Sequence, residues 1–178
     1  MIKTCVLFDA NEAMLELFED AHTNGLKICE MHDLVSCIAR FMKNVKKEGE
    51  CILNTVDNLD FRKATIDEYK KSFGDLTAVE CEANELYYPL SKDEAPFAVR
   101  VLSAFLAEEL LSQFPKVSFY IFISVNADND DVILNAWFHV LRYGERYFDN
   151  CLDNYAQPVM SIRIVCQGDG SADTVDRN

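Results

Sequence analysis

The side chains of this sequence with chemistry to offer are three histidines, seven cysteines and a large set of carboxylates. The histidines are His22, His32 and His139. None has a second His, Cys or carboxylate at a spacing that recurs in zinc sites, where four ligands converge on one ion. The cysteines are Cys5, Cys29, Cys37, Cys51, Cys81, Cys151 and Cys166, odd in number, widely spaced and without a CxxC. They read as small buried hydrophobes in a reducing compartment. Cys151 alone stands in a polar setting, and its neighbours Asp149 and Asp153 oppose thiolate formation. The run Asn126-Ala-Asp-Asn-Asp-Asp131 begins like a calcium loop. Its sixth position is Asp131 instead of Gly, and its twelfth is Trp137 instead of Glu. The glycines form neither a GxGxxG nor a Walker loop. The expectation is a protein that is not an enzyme and needs no metal or cofactor. The competing reading is an enzyme with dispersed catalytic residues, for which His139 and Cys151 are the positions to test.

What the carboxylates offer instead is a field. There are 30 Asp and Glu against 17 Lys and Arg, a formal charge of −13. Residues 1–71 hold 10 basic and 13 acidic residues, whereas residues 72–178 hold 7 and 17. Such a surface repels nucleic acid and anionic membranes and attracts basic partners. Direct nucleic-acid or membrane binding is therefore not expected.

The densest segment is 137–159, where Trp137, Phe138, Tyr143, Tyr147, Phe148 and Tyr155 alternate with Arg142, Glu145, Arg146, Asp149 and Asp153. Aromatics and Arg set among charges match the composition of interface hot spots. Asp128, Asp130, Asp131, Glu145, Asp149 and Asp153 are expected to face a partner, with Trp137, Tyr143 and Tyr147 as anchors.

These residues must be positioned by a fold. The pattern predicts a strand over 3–8 and a helix opened by Asp9 and Glu12, with Met14, Leu17, Phe18 and Ala21 on one face and Gly25 at its end. A second helix is predicted over 31–47, its last turns carrying Arg40, Lys43, Lys46 and Lys47. Residues 49–64 show no period. Thr65 and Glu68 form a capping box for a short helix ending near Gly74, and strands are predicted over 76–82 and 86–90. Ser91 and Glu94 box the start of a helix, apolar around most of its circumference, from Phe97 to Phe114. Strands come next over 117–125 and 132–141, joined by the polar loop 126–131, then a loop with a helical turn over 142–157 and a last strand over 158–165. The predicted class is α+β: an antiparallel sheet mainly from the C-terminal half, packed by N-terminal and central helices. One globular domain over 1–167 is expected, with a disordered polar tail over 168–178. Met1-Ile-Lys-Thr4 does not open a signal peptide and no apolar run approaches the ~20 residues that span a bilayer, so a cytoplasmic protein is expected.

The segments around Trp137-Phe138, Arg142-Tyr-Gly-Glu145 and Asp153-Asn-Tyr-Ala-Gln-Pro158, in a small acidic α+β chain, resemble the immunity proteins of bacterial contact-dependent growth inhibition systems. The resemblance covers under about a fifth of the chain and carries over no residue position by position. It implies a tight inhibitor of one cognate toxin domain, commonly a basic nuclease, acting by blocking the active site or the substrate surface. The alternative within binding proteins is an acidic adaptor or DNA-mimic regulator.

Overall fold

The computed structural model of the chain describes residues 3–20, 31–56, 58–60, 64–128, 131–145 and 147–167. The elements in chain order are strand β1 (Lys3–Ala10), helices α1 (Glu12–Asp20) and α2 (His32–Lys43), strands β2 (Val45–Glu48) and β3 (Cys51–Asn54), helices α3 (Ile66–Phe73) and α4 (Leu76–Ala83), and strand β4 (Leu86–Leu90). Helix α5 (Ala95–Gln113), strands β5 (Phe119–Asp128) and β6 (Asp131–Val140), a 3-10 turn (Leu152–Asn154) and strand β7 (Val159–Gln167) complete it. Five strands form one antiparallel sheet in the order β1-β7-β5-β6-β4, and β2 and β3 form a separate hairpin. Helices pack on the sheet, so the chain is α+β, with most of the sheet drawn from the C-terminal half.

Alternation along the strands sorts the residues. Ile121, Ile123 and Val125 of β5, Leu134, Ala136 and Phe138 of β6, and Met160, Ile162 and Ile164 of β7 face the helices and form the main core. Helix α5 lies across them because Leu102, Leu106 and Leu110 recur at helical spacing and are all buried. Burying each such leucine is worth about 1.5–3 kcal/mol. The Phe114 amide closes the helix on the Leu110 carbonyl, and Pro115 then bars its continuation. The other face of the sheet holds Tyr120, Phe122, Ser124, Asn135, Trp137, His139, Val159 and Ser161. A second aromatic layer covers its centre: Phe122 stacks on Phe148 at 4.0 Å and meets Trp137 and Tyr155.

Four local features differ from the pattern-based expectation. Helix α1 is capped by Asn11, not Asp9: the Asn11 Oδ1 accepts from the Met14 amide at 3.0 Å, while Asp9 continues strand β1. Gly25 and the 168–178 tail lie outside the described residues. Helix α2 ends at Lys43, and Lys46 and Lys47 stand on hairpin β2–β3, whose turn starts at Gly49 with φ +62°. Glycine takes that positive φ without a Cβ penalty. Residues 76–82, expected as a strand, are helix α4. Asp75 caps it, its Oδ1 accepting from the Ala78 amide at 2.7 Å. A short apolar run has no period to separate strand from helix when every side of it is buried, and Leu76 to Cys81 and Ala83 all are. The strands of hairpin β5–β6 also reach further than expected, pairing to Asp128 and Asp131.

Burial departs from the sequence reading at Cys5, expected inside. Cys51 and Cys81 are buried, but Cys5 and Cys151 are exposed. Burial, then the Glu80 charge, pushes the Cys51 thiol up to about 11, and the same causes push Cys81 up. Since the thiolate is the nucleophile, brief iodoacetamide treatment of the native protein in mildly alkaline solution should alkylate Cys5 and Cys151 and spare Cys51 and Cys81. Peptide mass spectrometry reads this directly, and native labelling of Cys81 would contradict the buried position of α4.

Candidate functional site

The site is built on a backbone problem. Strand β4 covers the edge of β6 only from Val132 to Ala136, so among the described residues the edge beyond has no strand beside it. The outer edge of β3 is likewise without a strand among the described residues. Both edges are buried, and buried N–H and C=O groups need partners. Helix α4 supplies them with side chains one turn apart. Glu80 accepts from the Ile52 amide at 2.7 Å and the Val140 amide at 2.8 Å. Asn84 donates to the Ile52 and Phe138 carbonyls at 2.7 and 3.1 Å and accepts from the Asn54 amide at 2.7 Å. Two side chains thus tie the β2–β3 hairpin to the main sheet.

A fully buried carboxylate needs a counter-ion. Arg142 provides it in a fork, Nη1 to Oε2 at 2.6 Å and Nη2 to Oε1 at 2.9 Å. The Glu80 side chain is 0% exposed and that of Arg142 16%. Burial pushes the Glu80 carboxyl up, and Arg142 with the two amides pulls it back. Every partner of its oxygens is an N–H donor, so the environment is that of the ionised form. Nη2 also donates to the Glu50 carbonyl at 2.7 Å, which fixes the tip of the hairpin.

Arg142 is also where the chain leaves β6, so the ion pair sets the course of the next segment. Three residues on, Glu145 Oε2 accepts from the Thr77 amide at 3.0 Å and hydroxyl at 2.8 Å. This places a carboxylate at the N-terminus of α4, where the helix dipole favours it. The far end of the segment is held by buried Asn11, whose Nδ2 donates to the Tyr155 and Gln157 carbonyls at 3.2 and 2.9 Å. Between them, Asp149 accepts from the Cys151 amide at 2.9 Å and the Asn154 side-chain amide at 2.6 Å. Those bonds hold its carboxyl below the usual carboxylate range.

The side chains expected to meet a partner divide accordingly. Tyr143 is fully exposed, and Asp149 and Asp153 are exposed. Tyr147 is partly exposed, and its hydroxyl donates to Glu82 at 2.8 Å. Trp137 is half-buried in the aromatic layer, and Glu145 is half-buried against Thr77. Asp128 and Asp131 pair at the far end of hairpin β5–β6 and Asp130 lies outside the described residues. That end lies nine strand steps from Val140, roughly 30 Å at ~3.3 Å per residue. The structure therefore does not bring the hairpin acids together with Tyr143. It adds two carboxylates not singled out by number in the sequence, Glu82 and Glu85. Burial and the charge of Glu82 push the Glu85 carboxyl up. Burial and the neighbouring Glu82 likewise push up the Tyr147 hydroxyl. Arg142, whose composition suggested a surface hot spot, points inward instead.

His139 stacks on Tyr120 at 5.4 Å, with Nδ1 2.9 Å from the Val140 carbonyl. It is 4% exposed. Burial, reinforced by the Arg142 charge, pushes it below its ordinary 6.5. Among the described residues no group of three or more His, Cys, Asp or Glu could hold a metal ion, and no helix is long and apolar enough to cross a membrane.

The buried ion pair and the buried histidine each bear on stability. Glu80→Ala or Arg142→Ala should each cost about 3–5 kcal/mol, because each strands a buried charge. The double variant should cost clearly less than the two singles added. Urea denaturation of all four proteins measures the coupling, and simple additivity would refute it. For His139, the folded value lies below the unfolded one, so the unfolded state binds the extra proton first as pH falls. The stability due to neutral His139 is complete above 6.5 and is lost as pH falls below it toward the depressed folded value. His139→Gln should flatten that limb of a stability–pH curve.

A protein-family model matches residues 9–171, that of the Uncharacterized protein PM0498 family, and the chain belongs to this family. No curated protein and no solved structure matches it.

Proposed function

We propose that this member of the PM0498 family is a non-catalytic acidic binding protein of the immunity type, which neutralises a basic toxin domain, such as a nuclease, by docking over the C-terminal end of helix α4 and the segment after Arg142. The observation that carries the reading is the crowding of negative charge at the C-terminal end of α4. Glu82 and Glu85 lie close enough for one to raise the other's carboxyl. No basic residue occupies the last turn of α4, where the helix dipole itself disfavours carboxylates. Repulsion of this kind weakens the free protein and is relieved by a cationic partner. Tyr147 stands beside it with its hydroxyl on Glu82, and Tyr143 is exposed on the segment after Arg142; both are amphipathic side chains suited to anchoring an interface. A nuclease presents positive charge to phosphates, so an inhibitor with this surface gains both orientation and encounter rate. The hairpin acids Asp128, Asp130 and Asp131 contribute to the long-range field in this reading, and Trp137 and Glu145 hold the docking segment in place.

The test starts with the product of the gene upstream of this one, expressed in cells with and without this chain. Protection of the cells and a purified complex are expected. In stopped-flow binding, the triple variant Glu82→Gln, Glu85→Gln, Asp153→Asn should associate several-fold to tenfold more slowly at low salt, with a flatter salt dependence. Its dissociation rate should change little. Tyr143→Ala should instead speed dissociation by about tenfold. Absence of protection and of any complex would end the immunity reading, and unchanged association by the triple variant would end the assignment of the face.

A further inference from the structure

Strand β1 is an edge of the main sheet. It pairs with β7 over its whole length and has no second strand beside it among the described residues. Its side chains are exposed on both faces, including Leu7 at 39% and Phe8 at 63%. The opposite edge strand, β4, is interrupted by Pro89, a common way to blunt an edge. Strand β1 has no such device. Between Lys3 and Asp9 it reads Thr-Cys-Val-Leu-Phe, five uncharged residues.

The register shows which backbone groups look outward. The Asn11 amide donates to the Val159 carbonyl, continuing the β1–β7 ladder by one odd-numbered residue. In an antiparallel ladder the bonded residues alternate. The odd residues of β1 therefore turn their N–H and C=O toward β7, and Thr4, Val6, Phe8 and Ala10 turn theirs away. The Ala10 amide is met by the Asp9 side chain at 3.1 Å. Thr4, Val6 and Phe8 form the free ladder.

We infer that β1 is an interface between two copies of this chain, paired antiparallel about a two-fold axis at Val6. In that register Val6 meets Val6, Thr4 meets Phe8, Cys5 meets Leu7, and Lys3 meets Asp9. Even residues meet even residues, so the free N–H and C=O groups bond each other and side chains stay on their own faces of the sheet. The strand carries a cation at its start, an anion at its end and uncharged residues between, which is the charge order an antiparallel self-pair requires. The neighbouring registers of the same parity set Lys3 against Leu7 or Asp9 against Cys5 and lose both ion pairs. Two five-stranded sheets then become one of ten strands. The interface lies at the edge of the sheet away from β4, so it is independent of the docking face proposed above.

The test uses full-length, tag-free protein and its two charge reversals, with near-ultraviolet circular dichroism to confirm folding. Sedimentation over a concentration series should give a reversible dimer for the wild type. Lys3→Asp places Asp opposite Asp9 twice, and Asp9→Lys places Lys opposite Lys3 twice. Each alone should raise the dimer Kd by about tenfold or more. Mixed in equal amounts, the two variants should form a heterodimer at wild-type strength, because every opposed pair is then Lys with Asp. Loss of a merely structural role could not produce that recovery. A wild type that stays monomeric throughout, reversals that leave the mass unchanged, or a mixture that fails to pair would each overturn the inference. So would a monomer whose β1 amides gain protection from hydrogen exchange only when a different protein is bound, since the edge would then belong to that protein's strand.

Discussion

The buried carboxylate of Glu80 is the contact on which the arrangement of this protein turns. Two strand edges, that of β3 and the last stretch of β6, end up inside the protein without a strand to pair with among the described residues. Leaving one buried amide unpaired costs about 1–3 kcal/mol, and hydrogen bonds to a charged acceptor contribute roughly 1.5–3 kcal/mol each. Glu80 meets one amide from each edge, and Asn84 one turn later meets the carbonyls. A helix placed sideways between two sheets thus takes the place of a missing strand. The solution is local in α4 and joins pieces 28 to 62 residues apart in sequence.

That solution sets the path of the chain beyond β6. A carboxylate surrounded by protein demands a cation, so Arg142 is drawn inward. Residue 142 lies two positions past the end of β6, so pinning it fixes the direction of departure. The segment must then cross α4, where Glu145 caps the helix, and return to β7, where Asn11 grips Tyr155 and Gln157. Phe148 is pulled onto Phe122 along the way. With the inward positions occupied by these contacts, Tyr143 is left pointing at solvent. Its exposure is a consequence of how tightly its neighbours are held: the backbone on either side is fixed, while the side chain keeps a rotamer freedom that costs about 0.5–1.5 kcal/mol to immobilise.

The parts of the fold legible in the sequence are those whose hydrogen bonds close within a few residues. The Thr65–Glu68 capping box forms in both directions. In Ser91–Glu94 only the return arm forms, with the Ser91 amide and hydroxyl both on Glu94. The alternation of Val159, Ser161 and Arg163 against Met160, Ile162 and Ile164 gives the faces of β7 correctly, because one face meets the helices. Helix α4 was not legible for the opposite reason. Apart from the Asp75 cap on Ala78, the polar contacts of its buried side chains are with Ile52, Val140, Arg142 and Glu145, and no window of the sequence contains those partners. Hairpin β2–β3 escaped similarly: Val-Lys-Lys-Glu has no apolar alternation, since only β3 and Val45 are buried.

The candidate site was legible as composition and not as geometry. Counting charges over 137–159 treats Arg142, Glu145, Asp149 and Asp153 alike. In the fold, Arg142 neutralises Glu80, Glu145 neutralises a helix terminus, and Asp149 organises its own loop. These charges are already compensated at short range and offer a partner little. Glu82 accepts from the neutral Tyr147 hydroxyl, and its charge adds to burial in raising the Glu85 carboxyl, at the end of a helix whose own last turn carries no basic residue. The free energy that a basic surface can recover is the repulsion left uncompensated, not the total number of acids. Of the chain's excess of carboxylates, the pair beside Tyr147 has the clearest physical reason to prefer company.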